Sequence, residues 1–76
     1  MQRCERFTAV IERHGEAGFV ALCPEFDVAG QGATIEEART NLAEALTLFL
    51  EAADPSEVQR RFHGEVYITQ VEVPFG

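Results

Sequence analysis

Positive charge is scarce in this sequence of 76 residues: lysine is missing, and six arginines stand against thirteen aspartates and glutamates, a net charge of −7. Affinity for nucleic acid comes mostly from Lys and Arg displacing counterions from phosphates, so this balance argues against a phosphate-binding surface and against direct nucleic-acid binding. A basic partner suits it, because opposite potentials steer encounter. Long apolar runs are missing too. No stretch approaches the roughly 18 uncharged residues of a membrane span, and Met1-Gln2-Arg3-Cys4-Glu5-Arg6 has no apolar core of a signal peptide. Cysteine is limited to Cys4 and Cys23, enough for one disulfide and too few to staple a secreted mini-domain. The expectation is a cytoplasmic protein with reduced thiols, one domain over residues 1–76, and no membrane contact.

What is present has globular proportions, with 46% hydrophobic and 25% charged residues. A chain this short buries only about 60% of its unfolded surface, so self-association is a natural way to gain stability. Arg6 to Glu12 alternates, with Phe7, Ala9 and Ile11 on one face and Thr8, Val10 and Glu12 on the other, the pattern of a strand. The polar, glycine-bearing stretch from Arg13 to Gly18 suits a hairpin connection to a second strand, Phe19–Cys23, which Pro24 ends. A short third strand is expected around Asp27 to Gly32.

Thr34-Ile35-Glu36-Glu37 reads as a capping box, Thr34 accepting from the N–H of Glu37 and the Glu37 carboxylate reaching back to the N–H of Thr34. From it a helix runs to about Ala53, with Ile35, Ala38, Leu42, Ala45, Leu46, Phe49 and Ala53 on one apolar stripe. Pro55 opens a short second helix to about Phe62, with Asp54 as its cap and Gly64 as a left-handed stop. Val66 to Val73, β-branched and alternating, is expected to be the last strand, closed by Pro74. The fold class is α+β: a small antiparallel-rich sheet of three to four strands with one long helix packed on one face, in the order β-β-β-α-β.

Two surfaces follow from this arrangement. One helix covers only one sheet face, so apolar residues remain on the other. Val10 is joined there by Val20 with Leu22 or by Phe19 with Cys23, and by Val66 with Ile68 or by Tyr67 with Val71 and Val73; Val10, Val20, Leu22, Val66 and Ile68 are taken as the candidate set for a homodimer or higher even oligomer. On the outer helix face Glu37, Glu44 and Glu51 recur every seven residues, with Leu48 beside the row; these four are the candidate partner-binding residues. Catalytic and metal-binding candidates are weak. His14 falls in the hairpin turn and His63 before a glycine, and neither stands at metal-ligand spacing with a cysteine. Cys23 reads as a small buried hydrophobe. Among the acidic residues Glu12, Glu25 and Asp27 are the strand or strand-end candidates for such a site, and nothing in their spacing makes them converge as metal-assisted hydrolysis requires. No cofactor and no catalytic residue is expected.

Phe7-Thr8-Ala9-Val10-Ile11, Gly18-Phe19-Val20-Ala21, Cys23-Pro24-Glu25-Phe26-Asp27-Val28-Ala29-Gly30-Gln31-Gly32 and Thr34-Ile35-Glu36-Glu37-Ala38, followed by Asn41, Leu42, Ala45 and Leu46, together resemble the HicB family of type II antitoxins. The likeness covers roughly Phe7 to Glu51, with a looser fit over Val66 to Val73, and Ala33 stands where the family often has Asp before the capping Thr. The resemblance implies a partial RNase H-like fold and a non-enzymatic role, the masking of HicA-type toxins, small basic mRNA-cleaving proteins with a double-stranded-RNA-binding-like fold. Many HicB antitoxins add a C-terminal ribbon-helix-helix or helix-turn-helix domain that binds DNA. Here Gly76 follows the last expected strand directly, so no DNA-binding domain is expected. The alternatives are a metal-dependent nuclease or hydrolase on the RNase H-like scaffold, and a dimeric scaffold or ligand-binding domain.

Overall fold

The computed structural model describes residues 5–76; Cys4 lies outside them. Three strands form one antiparallel sheet in the order β1-β2-β3: β1 is Val10–Arg13, β2 Phe19–Cys23 and β3 Val28–Gly32. A 3-10 turn at Gly15–Ala17 joins the first two. Helix α1, Ile35–Ala52, lies across one face of the sheet, and α2, Pro55–Arg61, follows it. The α+β reading therefore holds, with three strands and the long helix where the sequence puts them.

The first strand is shorter than its alternation suggests, starting at Val10 instead of Arg6. The partner strand is the reason. Val10 pairs with Leu22, and β2 ends one residue later, where Pro24 turns the chain away. Residues before Val10 thus have no strand to pair with. The backbone N–H of Thr8 donates instead to both carboxylate oxygens of Glu25, at 3.1 and 3.0 Å.

The turn from Pro24 to Asp27 brings β3 beside β2. The N–H of Asp27 donates to the Cys23 carbonyl at 2.8 Å, and Asp27 takes φ of 58°, a left-handed conformation that Asp tolerates better than most residues. In β3 the glycines have a packing role. A Cβ built on Gly30 would stand 2.5 Å from the Leu42 backbone nitrogen, and one on Gly32 would stand 2.7 Å from that of Ala38. Without side chains at these positions, α1 rests almost directly on the strand. The Asn41 amide fixes the contact by donating to the Gln31 carbonyl at 2.7 Å.

Ala38, Leu42 and Leu46 of the helix stripe are buried against Ala21, Cys23 and Phe26, with Phe7, Ile11, Phe19, Val28, Phe49 and Val58 packed around them. Ala9, expected beside Phe7 and Ile11, is exposed instead. At the helix start the Glu37 N–H donates to Thr34 Oγ1 at 3.0 Å, as the capping pattern requires. The return bond goes one residue further back, with the Ala33 N–H donating to Glu37 Oε1 at 2.7 Å. Such a cap contributes about 1 kcal/mol.

Beyond α1 two expectations are corrected. Asp54 makes no side-chain cap bond, although Pro55 does open α2. Gly64 is not a left-handed stop: the helix ends because Phe62 turns to extended backbone, φ −77° and ψ 120°. The larger correction concerns Val66 to Val73, which forms no ladder with any described residue. Strand pattern alone does not make a strand; unpaired N–H and C=O groups need a neighbour. Among the described residues no helix is long and apolar enough to cross a membrane.

Candidate functional site

Alternation along β2 separates the two sheet faces. Ala21 and Cys23 are buried under α1, so Val20 and Leu22 point to the far side. Their cross-strand partners share that face: Val10 opposite Leu22, Ala29 on the other side of Leu22, and Glu12 and Gln31 flanking Val20. Three of the five oligomer candidates, Val10, Val20 and Leu22, therefore lie together as a small apolar patch. Val66 and Ile68 do not join them within one chain, because the segment that carries them is not part of the sheet.

The outer face of α1 holds the second candidate surface. Glu37, Glu44, Leu48 and Glu51 are all exposed, Leu48 to 65%. Leu48 stands four residues after Glu44 and three before Glu51, the spacing at which side chains of one helix face are neighbours. Glu37 is the exception in the row. Its carboxylate already accepts the Ala33 N–H, so it closes the helix cap and has less freedom to meet a partner. On the opposite flank of α1, Phe7, Leu46, Leu50, Val58 and Phe62 line an open groove of about 700 Å³.

The three acidic strand-end residues go to different tasks. Glu12 lies beside the hairpin, its Oε1 3.4 Å from His14 Nε2, with both side chains exposed. Asp27 forms the turn. Glu25 is buried and accepts from the Thr8 N–H, from the Thr8 hydroxyl at 2.8 Å and from the Cys23 thiol at 3.4 Å. Burial pushes its pKa up, but the Thr8 hydroxyl and the surrounding donors outweigh that and hold the carboxyl below its ordinary value. The Cys23 thiol is pushed up by burial, with the Glu25 carboxylate adding to the effect, so it stays a protonated thiol rather than a nucleophile. Among the described residues no three His, Cys, Asp or Glu side chains come together in a way that could hold a metal.

Glu25 and its neighbour Phe26 form the structural centre that pattern reading passed over. The Glu25 carbonyl accepts from the His63 N–H at 2.7 Å, and the Phe26 carbonyl accepts from Arg61 Nη2 at 2.8 Å. The turn thereby ties the segment before β1 to the end of α2. A pH dependence follows. Because the folded carboxyl titrates below the ordinary value of 4.5, its contribution is complete above about pH 4.5. It is lost as pH falls through the folded-state pKa, where the unfolded chain binds the proton more readily. Between pH 6 and 3 the thermal midpoint of the wild-type chain is expected to fall more steeply than that of Glu25→Gln. Parallel curves would mean that the Thr8–Glu25 contact does not distinguish the charged carboxylate.

No family model matches the chain, and no solved structure matches it significantly. Over 45 residues it is 47% identical to the UPF0150 protein ssl0738 of Synechocystis sp., a stretch that spans 58% of this chain and 62% of that protein. The chain is thus similar to a protein whose name states neither activity nor partner.

Proposed function

We propose that this domain is a non-enzymatic, antitoxin-like binding module that masks a small basic protein of the HicA type, using the outer face of α1. The observation that carries this reading is the row of Glu44 and Glu51 with Leu48 between them. An apolar side chain 65% exposed among carboxylates supplies an anchor, while the charges supply steering. The net charge of −7 extends that field to the whole molecule. The resemblance to HicB antitoxins supplies the partner class, because toxins of that kind are basic and must present a positive surface to RNA.

The roles of charge and anchor separate kinetically. Glu44→Arg with Glu51→Arg is expected to slow association about tenfold and flatten its salt dependence, since rim charges act mainly on the encounter. Leu48→Asp is expected to speed dissociation by at least tenfold, because most changes in an interface appear in the off-rate. Surface-binding kinetics against a HicA-type protein measures both, with circular dichroism checking that the variants stay folded. None of the three residues touches the core. Folded variants that bind as well as wild type would place the contact elsewhere on the molecule.

A further inference from the structure

We propose that the C-terminal segment Glu65–Val73 is a strand donated to a second copy of this chain, where it adds to the free edge of β1. Four observations converge on this.

The segment is built as a strand and pairs with no described residue. Val66, Ile68, Val71 and Val73 are β-branched and Tyr67 is aromatic, the residue types that favour strands. Yet Tyr67 is 82% exposed, Val71 80% and Val73 70%. Isolated surface apolar residues are ordinary, but four exposed large apolar side chains, Tyr67, Ile68, Val71 and Val73, within seven residues are not.

The arm also leaves the body of the domain. The Cα radius of gyration is 14.6 Å, and the extents are 51 × 28 × 21 Å. A compact chain of this length has a radius near 11 Å. The molecule is therefore a small globule with a projecting end.

The two sheet edges are not equivalent. Helix α1 lies close over the face of β3 at Gly30 and Gly32, and its Asn41 amide takes the Gln31 carbonyl of that strand. No described element covers the outer edge of β1, the last strand in the sheet order on that side. An open edge is a template for another strand.

The root of the arm is tied through Glu25 to the segment that leads into β1. The His63 N–H bonds the Glu25 carbonyl, and the Glu25 carboxylate bonds Thr8, two residues before β1. An arm that starts from that tie and reaches out can meet the β1 of a neighbour related by a two-fold axis. That neighbour returns its own arm to the first chain. Such an exchange is closed and self-complementary, which limits the assembly to a dimer. It removes an edge and an exposed arm from each chain at once, and it does not depend on any toxin.

Sedimentation equilibrium of the full chain at tens of micromolar, without a partner, is the first test; the expected mass is twice 8.4 kDa. The N–H groups of Ile68 and Val71 point to opposite edges of a strand, so the double variant Ile68→Pro/Val71→Pro removes one ladder N–H in either register of the arm and is expected to sediment as a single chain. Its helical circular dichroism should be unchanged, because the arm forms no ladder with any described residue of its own chain. In a dimer mixed from differently labelled chains, isotope-filtered NOEs should connect the arm of one copy to Val10–Arg13 of the other. A wild-type chain of 8.4 kDa at that concentration overturns the proposal. So does a dimer that survives both prolines, which would move the contact to the far face of Val10, Val20 and Leu22. NOEs confined to one chain overturn it as well, by laying the arm on its own β1.

Discussion

Replacing Phe26 by alanine is expected to remove about 3–5 kcal/mol of stability, the range for truncating a large buried aromatic. Phe26 is 2% exposed and stands at the meeting point of three other rings. Its centroid lies 5.3 Å from Phe7 in an edge arrangement, 5.5 Å from Phe49 and 5.2 Å from Phe62. Those rings belong to the segment before β1, to α1 and to the chain just after α2. One side chain therefore joins three parts of the molecule. Cavity creation at such a place cannot be repaired by local collapse, because the surrounding rings are fixed by different elements. A domain of this size holds roughly 4–11 kcal/mol in total. The midpoint of thermal unfolding should drop by about 15 °C or more, and Phe26→Leu should lose markedly less. A drop of only a few degrees for the alanine variant would mean that the aromatic cluster is peripheral.

Gly30→Val is expected to have an effect of similar size by the opposite mechanism. The new Cβ would meet the Leu42 nitrogen at 2.5 Å, its Cα at 2.8 Å and the Asn41 carbonyl carbon at 2.9 Å. All three are helix backbone atoms, so no side chain can rotate away. The helix would have to lift off the sheet, loosening Leu42 and Ala38 together. Overpacking a core typically costs 1–3 kcal/mol when side chains absorb it; here the loss should be about 3 kcal/mol or more. Ala29→Val is the matched control. Ala29 is exposed on the far face, and its substitution should stay within about 0.5 kcal/mol of wild type. Chemical denaturation of the pair gives the comparison, and equal midpoints would contradict the direct helix-on-strand contact.

These two positions show where sequence and fold part company. The helix from Ile35 was legible because its signals are local: a capping Thr34, a Glu37 in the first turn and an apolar stripe whose Ala38, Leu42 and Leu46 are the buried residues. Strand β2 was legible for the same reason, its ends marked by Gly18 and Pro24. Gly30 and Gly32 give no sign in the sequence of the helix that rests on them, because a pattern along one element does not record how closely another approaches it. Glu25 and Phe26 sit in a turn, where polar and aromatic residues carry no periodicity, and their partners lie far along the chain at Thr8, Phe49, Arg61 and Phe62. The arm is the sharpest case. Its alternation from Val66 to Val73 states a capacity to pair, while the identity of the partner strand is a property of the whole fold and of its assembly. On α1, the exposure of Glu44, Leu48 and Glu51 could be read from helical spacing, whereas the engagement of Glu37 in its own cap could be read only in part.

Masking is the central claim, and it is tested most directly by titrating a HicA-type RNase with the full 76-residue chain while following cleavage of an RNA substrate. The expected result is saturable inhibition that is complete at a fixed stoichiometry, weakens as salt rises, and is lost with Leu48→Asp. Cleavage that continues unchanged at a large excess of the folded chain would contradict it.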